Sequence, residues 1–272
     1  MAASQTPGSN VYTHGHHHSV LRSHGTRTAE NSAAYLLPHL RPGMTILDVG
    51  SGPGTITAGL ARYVAPGAVV GIETTDEIVA TASVGAGAAI DNLTFEVADV
   101  FDLPYPDATF DVVHAHQVLQ HLDDPVTALR SMRRVAKPGG LVAVRDADYS
   151  GMFWYPDVPG LERWRELYLA VARSNDGEPD AGRRLSAWAR AAGFDDVTVS
   201  AGSWCYTTAE DRGWWSQTWA DRIRYSRMAE HALQRGLATT TELADLADAW
   251  LTWGADADGT FVIPHLEVLA VA

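Results

Sequence analysis

The sequence predicts an α/β protein with a mostly parallel sheet, and two patterns support this prediction. Short apolar runs that suit buried strands alternate along the first half of the chain with helical stripes such as residues 28–40. The run at 45–49 turns through glycines at 50, 52 and 54 directly into an amphipathic segment. A strand that enters a helix through glycines brings bare backbone N–H groups close to a ligand. We therefore expect a nucleotide-like cofactor at this turn.

Composition narrows the choice of partners. The 272 residues suffice for a sizeable core in one large domain or a domain with a cap. The formal net charge of −13 argues against a nucleic-acid partner and favours a small-molecule acceptor. The single cysteine, Cys205, excludes an intramolecular disulfide and a thiolate metal cluster. No signal peptide or membrane-length apolar run is visible, so we expect a cytoplasmic protein without a membrane partner, and a homodimer is left open.

The spacing of the glycines distinguishes between cofactors. The third glycine falls one place too early for the dinucleotide pattern G-x-G-x-x-G, and no Lys-Ser/Thr pair follows to make a phosphate-binding loop. The order Leu-Asp-Val-Gly-Ser-Gly-Pro-Gly at 47–54 resembles motif I of the class I S-adenosylmethionine-dependent methyltransferases. In that family the loop packs against a methionine moiety and a ribose. A tight turn without a ligand, and a nicotinamide dehydrogenase, are the alternatives.

Further segments carry the same resemblance. Glu73 ends the second predicted strand, Asp99 follows the third, and Lys137-Pro138-Gly139-Gly140 is typical of the family. The resemblance is specific across residues 43–146 and is closest to the branch similar to the ubiquinone/menaquinone biosynthesis methyltransferases. It implies S-adenosyl-L-methionine as cofactor and S-adenosyl-L-homocysteine as product. It also implies a Rossmann-like, seven-stranded, mostly parallel sheet with one antiparallel strand and a helical cap.

The resemblance assigns roles at the ends of the strands. Glu73 would accept both ribose hydroxyls, although an acid there also suits the N-terminus of a helix near Thr75. Asp99 would accept from the adenine amino group and the Val100 N–H would donate to the ring, although Asp99 could also be a solvated turn residue. The cofactor-binding residues implied are Asp48, Gly50, Ser51, Gly52, Gly54, Glu73, Thr74, Asp99, Val100, His116, Gln117 and Tyr12.

The segment after the fourth predicted strand is the expected place for acceptor chemistry. Ligands of open α/β sheets bind at the carboxyl ends of the strands, where His116, Gln117 and His121 follow one another. An acceptor that loses a proton would need a base, for which His121 is the first choice and His116 or Asp148 the reserve. The alternative for each histidine is a hydrogen-bonded structural residue.

We expect an N-terminal arm, residues 1–42, and a methyltransferase domain, 43–272, with a helical insertion at about 207–253. The arm contains a histidine-rich stretch at 14–18. It could be a metal site, an expression tag, or part of a lid whose Tyr12 and His16 face the cofactor. We favour the lid and predict no metal.

All nine tryptophans lie between 154 and 253. Spacings of four place Trp215, Trp219 and Ile223 on one helix face, which is either core packing or an apolar lid over a hydrophobic acceptor. The substrate-binding candidates are His16, Tyr149, Trp154, Trp215 and Trp219.

The predicted function is methyl transfer from S-adenosylmethionine to a small, apolar or aromatic metabolite, at oxygen, nitrogen or carbon, as in secondary metabolite biosynthesis. A competing class keeps the cofactor but catalyses cyclisation or rearrangement without methyl transfer. A third is a non-catalytic binding module, against which the intact glycine turn and both downstream acids argue.

Overall fold

A computed structural model describes residues 26–272 as an α/β fold built on an eight-stranded sheet, and the expected fold class is confirmed. The strands are β1 (Ile46–Val49), β2 (Val69–Glu73), β3 (Leu93–Val97), β4 (Phe110–His116), β5 (Ala136–Ala147), β6 (Phe153–Tyr155), β7 (Val197–Tyr206) and β8 (Thr260–Val271). Tyr12 and His16, predicted to form part of a lid, lie outside the described residues.

Strands β3, β2, β1, β4 and β5 lie side by side in that order and are parallel. One edge of β8 pairs antiparallel with β5 and, further along, with the short β6, so β6 extends the line of β5. The other edge of β8 pairs antiparallel with β7. Among the described strands β8 alone therefore runs against the rest, as expected, whereas the short β6 was not expected.

The helices are α1 (Ala29–Ser32), α2 (Thr55–Val64), α3 (Asp76–Val84), α4 (Pro125–Val135), α5 (Leu161–Arg173), α6 (Leu185–Ala191), α7 (Ala209–Tyr225), α8 (Arg227–Gln234) and α9 (Thr240–Ala255). The predicted helix over 28–40 is wrong in extent, because only α1 and a separate 3₁₀ turn at Leu37–His39 form. Pro38 lacks an N–H and its ring would clash with the carbonyl four residues earlier. None of the helices in residues 26–272 is long and apolar enough to cross a membrane.

The helices form two layers on the sheet and a cap. Apolar residues of α2 cover one face of the sheet, and those of α4 and α6 cover the other. Helices α7, α8 and α9 occupy the connection between β7 and β8 and share a third core with α5. Trp164 of α5 is the centre of that core, with ring centroids 4.5 Å from Trp219 and 4.7 Å from Trp250.

Candidate active site

The glycine loop between β1 and α2 borders the site, and its backbone demands glycine. Gly50 and Gly54 have φ of 67° and 82°, a region that is strained for residues with a side chain. A Cβ on Gly50 would lie 2.5 Å from Cγ2 of Val118. The N–H groups of Gly50 and Ser51 both donate to the Ile72 carbonyl, at 2.9 and 3.1 Å, so the loop is attached to the end of β2.

Asp48 supports the loop from below. Its Oδ1 accepts from Nδ1 of His114 at 2.7 Å, and its Oδ2 accepts from the Thr57 hydroxyl at 2.6 Å. Asp48 and His114 are register partners on β1 and β4, whereas Thr57 belongs to α2. The buried carboxylate therefore ties two strands to the helix that follows the loop. Its predicted contact with a cofactor stays a prediction.

Glu73 lies directly beside the loop at the end of β2. Its Oε1 accepts from the Gly52 N–H at 2.7 Å, and its Oε2 accepts from the Thr74 N–H at 3.2 Å. A carboxylate has about four acceptor positions, so it can still accept from hydroxyl groups of a ligand. The negative charge and the engaged Gly52 N–H oppose a pyrophosphate at this loop, which fits an adenosyl group better than a dinucleotide.

Asp99 and Val100 follow the end of β3. Oδ1 of Asp99 accepts from the Phe101 N–H at 2.9 Å, and the Asp99 carbonyl accepts from the Asp102 N–H at 3.0 Å. This turn leaves the Asp99 side chain exposed beside the buried Val100. An acceptor and an adjacent backbone segment thus follow the third strand, and their predicted contact with adenine stays a prediction.

These three strand ends meet because β3, β2 and β1 are neighbours in the sheet. They border one cavity of about 1420 Å³. Binding pockets for single small molecules usually measure about 300–1,000 Å³. The cavity therefore has room for a cofactor and a second molecule. All the predicted cofactor-binding residues within 26–272 line it except Gly54.

The opposite wall carries a row of polar side chains that extends across four strands. His116 on β4 is the register partner of Arg145 on β5, which is the partner of Glu267 on β8, which is the partner of Ser200 on β7. Nε of Arg145 donates to Glu267 at 3.1 Å, and the Ser200 hydroxyl donates to the same carboxylate at 2.8 Å. Arg145 and Glu267 line the cavity with His116 but were not among the predicted site residues.

Gln117 is held in a defined orientation by its neighbours. Its Oε1 accepts from Arg27 at 2.7 Å, and its Nε2 donates to Nε2 of His265 at 2.9 Å. Nδ1 of His265 lies 3.0 Å from the Ile263 carbonyl and donates to it. Burial holds the pKa of His265 well below its ordinary value, so the imidazole is neutral and can accept from the amide.

Two of the three base candidates are poorly suited to that role. Burial and the charge of Arg27 lower the pKa of His121 to about 3, and its Nε2 accepts from the Gln120 amide at 3.0 Å. Asp148 does not line the cavity within the described chain, and both of its oxygens accept hydrogen bonds from Arg183 at 2.5 Å. His116 lines the cavity and is 6% exposed.

The aromatic candidates separate into two groups. Tyr149 and Trp215 line the cavity, whereas Trp154 and Trp219 do not. Trp219 is fully buried in the cap core, and Trp154 stacks on Phe261 with ring centroids 5.7 Å apart. The cavity-lining aromatic residues that the sequence did not single out are Trp204, Tyr206 and Trp214.

Comparisons with known proteins identify relatives of this chain. Residues 40–182 match the model of a family described as a methyltransferase domain. The chain is 36% identical over 271 residues to an uncharacterized methyltransferase of Schizosaccharomyces pombe, covering 95% of each chain. It is 34% identical to the 27-O-demethylrifamycin SV methyltransferase of Amycolatopsis mediterranei, over 63% of this chain and 67% of that one. It is 33% identical to the ubiquinone/menaquinone biosynthesis C-methyltransferase UbiE of Bdellovibrio bacteriovorus, over 53% and 57%.

Solved structures show the same fold. The YcgJ protein of Bacillus subtilis superposes with a TM-score of 0.57 at 18% identity, over 94% of this chain and 98% of that one. The [4+2]-cyclase SpnF superposes with a TM-score of 0.50 at 23% identity, over 89% and 84%. The sequence matches and the shared sheet lead to one conclusion: the chain belongs to the class I S-adenosylmethionine-dependent methyltransferases.

Proposed function

We propose that this chain binds S-adenosyl-L-methionine at the ends of β1, β2 and β3 and methylates a small, apolar or aromatic metabolite. One observation carries the proposal: a single cavity has the glycine loop, Glu73 and Asp99 on one side and aromatic side chains on the other. The relative from Amycolatopsis mediterranei is named for methyl transfer to 27-O-demethylrifamycin SV, and this supports a small-molecule acceptor.

The cofactor would supply a methyl group on a sulfonium, which is already a strong electrophile. The protein's task is then to hold and align the two molecules and to exclude water. Glu73 and Asp99 would position the adenosyl group, and Gln117 would lie beside the methionine part in the orientation that Arg27 and His265 impose. Tyr149 and Trp215 would form apolar walls for the acceptor.

The candidate residues differ in how well they could remove a proton from the acceptor. His121 is neutral with a pKa near 3, which makes it a weak base, so His121→Ala tests the first choice made from the sequence. If His121 is the base, the variant should lose much more turnover than affinity for S-adenosylhomocysteine. Unchanged turnover would end that assignment, and His39→Ala is the matched control, because His39 is an exposed histidine that does not line the cavity.

Calorimetry with S-adenosylmethionine and S-adenosylhomocysteine tests the cofactor, with NADH as the negative control. Incubation with candidate metabolites, followed by mass spectrometry, tests for the gain of one methyl group. Cyclisation without methyl transfer is the competing activity, and release of S-adenosylhomocysteine during turnover distinguishes the two. Absence of binding by either adenosyl compound would refute the proposed function.

A further inference from the structure

We propose that Arg145 and His116 form an oxyanion subsite that binds the acceptor through an aromatic hydroxyl group, held as a phenolate. This inference rests on the proposed function and adds to it the chemical class of the acceptor. It also gives His116 the role of a hydrogen-bond donor rather than that of a base.

Both side chains carry buried polar atoms without a partner in the described part of the chain. Within residues 26–272, the two ring nitrogens of His116 have no hydrogen-bond partner, and neither does Nη1 of Arg145. His116 is 6% exposed and Arg145 is 2% exposed, yet both line the cavity. A buried donor left unsatisfied costs about 1–3 kcal/mol, and more when it is charged. Because His116 and Arg145 are register partners on neighbouring strands, one acceptor atom of a ligand in the cavity can satisfy both donors.

The charges around His116 indicate what kind of acceptor atom would bind to these two donors. Burial first, and then the charges of Arg145 and Arg27, hold the pKa of His116 well below its ordinary value, with smaller effects from His265 and His114. His116 is therefore neutral, offers one N–H and is a poor proton acceptor. A neutral donor and a guanidinium together suit an oxygen that carries negative charge.

Glu267 limits how strongly Arg145 can bind anions in general. Its carboxylate binds Nε of Arg145 and the Ser200 hydroxyl, so much of the arginine charge is already balanced. The pair offers the remaining Nη1 to one oxygen atom. Glu267 engages Nε, and the guanidinium lies 5.1 Å over the ring of Trp204, so Arg145 is held in one orientation.

The walls around the two donors suit a flat ring. The Trp204 ring centroid lies 5.6 Å from that of His116, and Nε1 of Trp204 donates to the Asn31 carbonyl at 3.0 Å, which fixes its orientation. Tyr206 follows two residues later on the same face of β7 and stacks on Trp215 with centroids 4.4 Å apart. Trp204 and Tyr206 both line the cavity, so an aromatic ring can contact their accessible edges while its oxygen reaches Arg145 and His116.

The chemistry balances without a protein base. The hydroxyl proton leaves to solvent when the acceptor binds as a phenolate. The phenolate oxygen then forms a bond to the methyl carbon, while the bond from that carbon to sulfur breaks with its electron pair staying on sulfur. The products are a methyl ether and S-adenosylhomocysteine, and Arg145 and His116 lose their anionic partner when the ether forms.

The test follows the ionisation of 4-nitrophenol by its phenolate absorbance, with the protein saturated with S-adenosylhomocysteine. A cation in contact with an acid typically lowers the pKa of that acid by about 1–3 units. We expect the bound phenol to titrate at least about one unit below the free compound, which is a tenfold preference for phenolate. The double variant Arg145→Gln/Glu267→Gln removes both charges of the pair, so no unpaired carboxylate is left buried, and it should abolish the shift. Arg224→Gln, which removes a charge paired with exposed Asp248, should leave it unchanged.

The methyl ether 4-nitroanisole cannot ionise and stands for the neutral phenol. At a pH above the pKa of the free phenol it should therefore bind at least about tenfold more weakly than the phenol, which is the ratio that a shift of one unit corresponds to. The proposal is overturned if the wild-type protein does not bind the phenol or does not shift it. It is equally overturned if the double variant keeps the shift or if the ether binds as well as the phenol. Calorimetry keeps the two claims apart: a protein that binds S-adenosylhomocysteine but fails these tests retains the proposed function and loses only the subsite.

Discussion

Glu73→Ala is expected to weaken the binding of S-adenosylhomocysteine by roughly 100-fold. The proposed site has Glu73 accept two ribose hydroxyls, and a hydrogen bond to a charged group contributes about 1.5–3 kcal/mol. Because Glu73 is half-buried, the lower end of that range applies, and two bonds give about 3 kcal/mol. At about 1.4 kcal/mol per factor of ten, this corresponds to roughly two orders of magnitude in Kd.

The assay is titration calorimetry on variants whose thermal unfolding has been checked. By the same lower end of the range, loss of the bond from the Gly52 N–H to the Glu73 carboxylate should cost about 1.5 kcal/mol of stability, so the variant should fold. Glu96→Gln is the matched control, because Glu96 is an exposed acid on the adjacent strand that binds the Tyr105 hydroxyl outside the cavity. A Kd for Glu73→Ala within about threefold of that control would refute the ribose assignment.

Three further perturbations test the site and the core. Gly50→Ala should abolish binding of S-adenosylhomocysteine in calorimetry, because a Cβ meets Val118 at 2.5 Å and φ is 67°; binding at wild-type strength would show that the loop tolerates a side chain. Trp219→Ala should lower the unfolding free energy by about 3–5 kcal/mol, as measured in denaturant, with little change in cofactor affinity; a loss of affinity without a loss of stability would place Trp219 in the site instead of the core. Burial raises the pKa of Asp146 to about 8 in the folded protein, whereas in the unfolded chain this carboxyl ionises near pH 4. Between these two pH values only the unfolded chain releases the proton, so the stability of the folded state falls as the pH rises from about 4 to about 8. Asp146→Asn mimics the protonated acid and should therefore raise Tm more at pH 8 than at pH 5; an equal change at both pH values would contradict a buried neutral Asp146.

The proposed cofactor half of the cavity could be predicted from the sequence because its residues are local to three strand ends. The glycine loop, Glu73 and Asp99 each follow directly from an apolar run, and parallel strand order brings the three ends together. Backbone geometry supports this part, since the loop requires φ values that glycine adopts readily. Local pattern and tertiary structure therefore agree here.

The acceptor half could not be predicted in the same way, because its contacts join distant segments. Arg145 and Glu267 are 122 residues apart, and only the register of β5 against β8 places them together. Asp148 illustrates the converse, since its position after a strand suggested a base, but Arg183 binds it 35 residues later. Helical spacing put Trp215 and Trp219 on one face correctly, yet only the packing of α5 against α7 separates the cavity residue from the core residue.

The proposed subsite also suits a reaction in which two charged molecules become neutral. Glu73 and Asp99 lie where a cationic cofactor would bind, whereas Arg145 and His116 lie where an anionic acceptor would bind. Transfer between a sulfonium and a phenolate removes both charges, and a buried site of low dielectric favours a reaction that removes charge. A guanidinium that held the phenolate too strongly would oppose the transfer. Glu267, by balancing Arg145, lets the pair select the ionised acceptor without holding its charge through the reaction.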